Sequence, residues 1–225
     1  MNINKVKLLP AREQVASVLR KAILSRELKE GQEITLEEIA GQVGVSVTPV
    51  REAFQILASD GLIKLRPNKG AVVLGINEKV IKDHYETRAV LEGEAAARAS
   101  AVGIDLSEIE LAYQSSVRAL EENNSSEYSR YNQLFHMEIW EAAGNLKIKS
   151  LLSSMWNGLS MGHKVTEEDY AKISIYEHNK ILDAIRAHDS ERARKNMQQH
   201  ITRSMNNILT RFDGYENINN KEDKI

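Results

Sequence analysis

Three histidines fall where helical periodicity points inward. His136 lies in the stripe Asn132, Phe135, His136, Ile139, Ala143; His178 lies with Ile181, Leu182 and Ile185; His200 lies among Ala193, Met197, Ile201, Met205 and Ile208. Each set has the spacing of one helical face. A single imidazole on such a face is ordinarily a hydrogen-bonded core residue. Three of them on three faces can converge on a divalent cation in the core of a helical bundle. Asn132, one turn before His136, is on the same face and adds an amide oxygen as a fourth donor. Neutral imidazoles suit zinc or nickel, with iron and manganese also compatible. Two other readings stay open. The histidines could line a metal-free pocket for an apolar ligand, or they could activate water in a hydrolase. For hydrolysis the nearest base is Glu177, but as the sequence neighbour of His178 it is expected to point elsewhere on its helix. There is no HExxH pattern, and the chain has no cysteine, which removes thiolate ligands, thiolate nucleophiles and disulfides.

A second constellation lies near the N-terminus. Ser46, Thr48 and Arg51 surround the start of a short helix beginning at Thr48-Pro49, with Thr48 as its N-cap. Hydroxyls and helix-terminal N–H groups suit phosphate oxygens. An arginine one turn in can pair with a guanine edge through two parallel hydrogen bonds. Lys64, Arg66 and Lys69 follow, with no acidic residue between Gly61 and Asn77. Gly70 would let backbone approach a duplex closely.

The elements that must carry these groups read as follows. A first helix starts near Pro10 with Val15, Val18, Leu19, Ala22 and Ile23 on its apolar face. Thr35 and Glu38 form a capping box for a second helix, and Gly44 turns the chain into the third. Two β-prone runs, 62–65 and 71–74, flank the turn Arg66-Pro67-Asn68-Lys69-Gly70. Helix, helix, turn, helix and hairpin is the order of a winged helix-turn-helix. From there the periodicity is purely helical, with helices at about 78–101, 105–122, 126–143, 145–160, 167–187 and 189–211. The expected organisation is thus mainly α: a winged helix-turn-helix over 1–75, a linker at 76–78, an all-helical bundle over 79–211, and an unstructured polar tail over 212–225. His84, His163 and His188 fall outside the histidine constellation, and Trp140 and Trp156 read as packing.

Two sets of motifs carry a resemblance. Leu36-Glu37-Glu38-Ile39-Ala40, Ser46-Val47-Thr48-Pro49-Val50-Arg51-Glu52-Ala53-Phe54 and Asp60-Gly61-Leu62-Ile63 resemble the DNA-binding domain of the GntR family of bacterial regulators. Asn132-Gln133-Leu134-Phe135-His136, Ala143-Gly144-Asn145, Glu177-His178-Asn179-Lys180-Ile181-Leu182-Asp183-Ala184-Ile185 and Met197-Gln198-Gln199-His200 resemble the FCD ligand-binding domain of its FadR-type branch. The resemblance implies a homodimeric, ligand-responsive regulator, more often a repressor, bound to a double-stranded DNA operator. It implies that Lys69-Gly70 reaches the minor groove. It implies a divalent metal held by His136, His178, His200 and the position of Asn132, which is aspartate in the family. It also implies a small carboxylate effector, for which Arg88 matches a family arginine; an exposed salt bridge from Arg88 to Glu92 is the plainer alternative. Val47 and Glu37 depart from the pattern, since both positions usually carry arginine. Val47 could instead meet a thymine methyl.

Charge is unevenly distributed. Residues 1–75 hold 11 Lys+Arg against 8 Asp+Glu, and residues 76–225 hold 19 against 24. A basic front half and an acidic back half suit two different tasks. No run of about 18 apolar residues exists, and the first ten residues lack the apolar core of a signal peptide, so a cytoplasmic location is expected.

Overall fold

A computed structural model describes residues 10–67, 69–156 and 168–222, except for the side chains of 24 and 211–222. The chain divides into two compact units, one ending at Val80 and the other beginning at Ile81.

The first unit is built from α1 (Ala11–Leu24), β1 (Glu33–Ile34), α2 (Leu36–Val43), α3 (Val47–Ser59), β2 (Ile63–Arg66) and β3 (Gly70–Val73). Val15, Leu19 and Ile23 of α1 are buried against Ile39, Val50, Phe54 and Leu57. Val18 departs from the expected stripe and is 51% exposed. The cap assigned to α2 forms: Thr35 Oγ1 accepts the Glu38 N–H at 3.2 Å. Gly44 ends α2 in the left-handed region at φ 69°, which lets α3 start three residues later.

Two details differ from the sequence reading. Ser46, not Thr48, is the N-cap of α3, so the helix begins at Val47 and Pro49 sits inside its first turn. A proline is tolerated there because the N–H it lacks would have no helical acceptor. The sheet also has a third strand. β1 pairs antiparallel with β3 (Glu33↔Val72, Ile34↔Ala71), giving the order β1-β3-β2. At two residues, β1 is too short to show a period.

The second unit is helical. α4 (Glu78–Ala99) begins within the first unit, where Ile76 and Val80 pack on the N-terminal core. It is followed by α5 (Ser107–Glu121), α6 (Ser125–Ala142), α7 (Leu146–Trp156), α8 (Glu168–Arg186) and α9 (Ser190–Glu222). Polar residues at the sequence breaks serve as caps. Asn77, Asn124, Asn145 and Asp189 each accept a backbone N–H from the first turn of the following helix, at 2.9–3.1 Å. The helices expected at 145–160 and 167–187 lose 157–160 and 167 to the undescribed residues. α9 continues to Glu222, so backbone expected as an unstructured tail from 212 is helical that far. No helix among the described residues is long and apolar enough to cross a membrane.

Candidate metal centre and nucleic-acid interface

The three histidines meet. α6 buries Phe135, His136, Ile139 and Trp140; α8 buries Ser174, His178, Ile181, Leu182 and Ile185; the inward face of α9 holds Met197, His200 and Ile201. His136, His178 and His200 are 1%, 0% and 4% exposed. One nitrogen from each ring lies within 4.8 Å of the others. The His178 and His200 Nε2 atoms are 3.3 Å apart, close to the roughly 3.4 Å that two nitrogens at 2.0–2.1 Å from one tetrahedral zinc would show. Phe135 stacks on His178 at 4.3 Å between ring centres, and Trp156 covers His136 at 5.1 Å.

Two carboxylates hold the outer nitrogens, although the sequence placed Glu92 in an exposed pair with Arg88 and pointed Glu177 away from the cluster. Glu92 of α4, fully buried, lies 2.6 Å from His136 Nδ1 and accepts the Trp140 indole N–H at 3.3 Å. Glu177 of α8 lies 2.7 Å from His200 Nδ1. Glu177 therefore faces the cluster's edge, engaged by His200 and by Arg203, whose Nε donates to both carboxylate oxygens at 2.8 Å. Arg88 donates its Nε–H to Glu92 at 2.9 Å and also pairs through Nη2. Trp140 is thus more than packing, and the Arg88–Glu92 pair is buried rather than exposed.

The electrostatics follow from these contacts. Burial would raise the Glu92 carboxyl, but Arg88 and then His136 outweigh it and hold it well below the usual carboxylate range. Burial likewise opposes ionisation of Glu177, while His200 and Arg203 win and lower it. Burial pushes His178 far down, with the neighbouring His200 adding to it, and pushes His200 down to about 4 despite Glu177. His178 and His200 are therefore neutral near pH 7, the form that binds metals. Three buried imidazoles, two of them with outer nitrogens held by carboxylates, are a donor set that fits a divalent cation. His178 Nδ1 is buried and meets no hydrogen-bond partner among the described residues.

The remaining candidates fall as follows. Asn132 is half-buried on α6, one turn before His136. Arg88 is buried beneath the Trp156 ring at 4.7 Å, with its charge matched by Glu92. His188 Nδ1 lies 3.0 Å from the Ser100 carbonyl, away from the cluster. His163 lies outside the described residues.

In the first unit Ser46, Thr48 and Arg51 are exposed at the leading turn of α3. Ser46 makes no side-chain cap bond, and that turn has no acidic residue, whereas the first turn of α2 holds Glu37 and Glu38. The positive helix end is therefore unopposed. Val47 is half-buried and packs in part on the domain core, so it is less presented than Ser46 and Thr48 on either side of it. Lys64 and Lys69 are exposed, while Arg66 is paired with Glu33. Gly70 has an internal reason to be glycine: φ is 85°, and a Cβ would lie 2.1 Å from the Ile34 carbonyl oxygen.

Comparison with known proteins agrees with both halves. Residues 11–73 match the family described as bacterial regulatory proteins, gntR family, and residues 83–203 match the FCD domain. The gluconate operon transcriptional repressor of Bacillus subtilis (strain 168) is 32% identical over 193 residues, covering 78% of this chain and 76% of that protein. The protein of the same name from Bacillus licheniformis is 28% identical over 200 residues, covering 83% and 80%. The solved structure of E. coli McbR/YncC superposes with a TM-score of 0.67 at 21% identity, over 91% of this chain and all of that one. With a helix-turn-helix matched at one end and an FCD domain at the other, the chain belongs to the GntR family of bacterial regulatory proteins.

Proposed function

We propose that the protein is a transcriptional repressor that binds its operator as a homodimer and responds to a small carboxylate through a metal site in its helical domain. The observation that carries the metal reading is the buried meeting of His136, His178 and His200, two of them backed by carboxylates. These three would hold the ion, with Asn132 as a fourth donor. Since Arg88 matches Glu92 and Arg203 matches Glu177, these two carboxylates bring no net charge against the ion. A divalent cation bound there supplies positive charge to an anion in its open positions. With Arg88 occupied by Glu92, the ion rather than Arg88 is the attraction for the effector's carboxylate.

Ser46, Thr48 and Arg51 would enter the major groove, with Lys69 and Gly70 at the wing tip. The repressor names of the Bacillus relatives support the direction of control. A coupling of about 1–3 kcal/mol between effector and operator would change DNA affinity roughly 5- to 150-fold.

One observation favours a metal-free variant of this reading: His178 and His200 can hydrogen-bond each other directly at 3.3 Å. Elemental analysis of protein purified without chelator separates the two. Stoichiometric zinc or nickel, lost in His178→Ala with the dimer retained, is the expected result. No metal, and no uptake of added zinc, would replace the metal site by a polar-lined pocket. Against a hydrolytic role, its candidate base Glu177 is taken up by His200 and Arg203.

A further inference from the structure

The three rings are not equivalent. We infer that Glu92 and Glu177 are positioning residues that fix the tautomers of His136 and His200, leaving His178 as the ring that must change tautomer for the site to hold an ion. The purpose of this arrangement rests on the metal reading above; its test does not.

Proton placement distinguishes the rings. Glu92 is paired with Arg88, and Glu177 receives the Arg203 Nε–H on both oxygens. A carboxylate held as an anion by a guanidinium can only accept. The ring nitrogens 2.6 Å from Glu92 and 2.7 Å from Glu177 must therefore bring the hydrogen, which places N–H on Nδ1 of both His136 and His200. Whenever such a ring is neutral, its lone pair is at Nε2.

His178 has no such partner. Its Nε2 faces the His200 Nε2 at 3.3 Å. With a lone pair already on His200, a hydrogen on His178 Nε2 gives a hydrogen bond, while a second lone pair would give repulsion. The His178 Nδ1, buried behind Phe135, meets no partner in either form among the described residues. In their neutral forms those two rings thus present lone pairs, while the third presents a hydrogen. For His178 to ligate, one proton leaves Nε2 and one is taken up at Nδ1, with no net change in charge. Filling the site breaks the His178–His200 hydrogen bond and leaves a buried N–H without an acceptor, so the third ligand is the one that resists.

The test is the long-range proton–nitrogen spectrum of histidine rings in the metal-free full-length chain, which distinguishes Nδ1–H from Nε2–H directly. Two of the buried rings should be Nδ1–H and one Nε2–H. Glu177→Ala should release one Nδ1–H ring and weaken zinc binding about 10- to 100-fold in competition with a chromophoric chelator. Glu177→Gln, whose side-chain oxygen still accepts, should restore the tautomer and most of the affinity. Buried rings that are all Nε2–H in the wild type would overturn the proposal, as would an unchanged ring pattern in Glu177→Ala. A wild type that takes up no zinc but shows the two Nδ1–H rings would sink the metal reading and leave the tautomer assignment standing.

Discussion

His200 sits in two opposed environments: its Nδ1 meets a carboxylate while the ring as a whole is cut off from water. Burial prevails, so the folded ring protonates near pH 4 against an ordinary 6.5. The unfolded chain therefore takes up a proton here at higher pH than the folded one. Stability of the metal-free protein should be full above about pH 6.5 and decline toward pH 4, by up to about 3 kcal/mol from this residue. His178 acts in the same sense. Urea unfolding between pH 7 and 5 would check it, a flat midpoint being the contrary result. Arg51, exposed beside the leading turn of α3, carries a different expectation. Arg51→Ala should weaken operator binding by about 1–3 kcal/mol and random-sequence binding by less; equal losses would make it a phosphate contact. The histidines were legible because each lies at a core position of its own helix. Glu92 was read only as an exposed partner of Arg88, although the two lie four residues apart on one buried face. A charged pair at core-periodic positions was the available signal. Nothing local could have linked Glu177 to His200 and Arg203, more than 20 residues away on another helix.

Among the elements, the wing rests on a turn that tolerates little change. Gly70 at φ 85° opens β3, and a methyl group there would meet the Ile34 carbonyl of β1. Gly70→Ala should destabilise the first unit by about 1–3 kcal/mol from backbone strain alone, with the collision adding to it. Thermal unfolding of the variant would show this, and an unchanged midpoint would mean that β1 moves aside freely. Removing the α2 cap with Thr35→Ala is a milder change, about 1 kcal/mol. Element boundaries were largely readable because they are set by local chemistry: Thr35, Gly44, Asn77, Asn124, Asn145 and Asp189 act within one turn of where they stand. β1 escaped notice because its formation depends on β3, far along the chain. The start of α3 shifted because either of two hydroxyl residues, Ser46 or Thr48, could begin a helix.

On the scale of the whole molecule, two compact units with separate cores allow two unfolding steps. Zinc at about 100 times its dissociation constant should stabilise the helical unit by about 2.7 kcal/mol and shift the midpoint of the DNA-binding unit by less. Calorimetry with and without zinc would resolve this, and equal shifts in both steps would place the binding elsewhere. The burial of the histidine cluster also bears on time. Its donors lie beneath Trp156 and Phe135 and are almost closed to solvent. Entry and escape must then wait for transient local opening of the helices. Stripping by a chelator would proceed at a rate set by the protein and indifferent to chelator concentration. A carboxylate drawn to an ion in that cluster would pass the same gate, so the proposed response would be paced by this opening as much as the exchange of the ion itself.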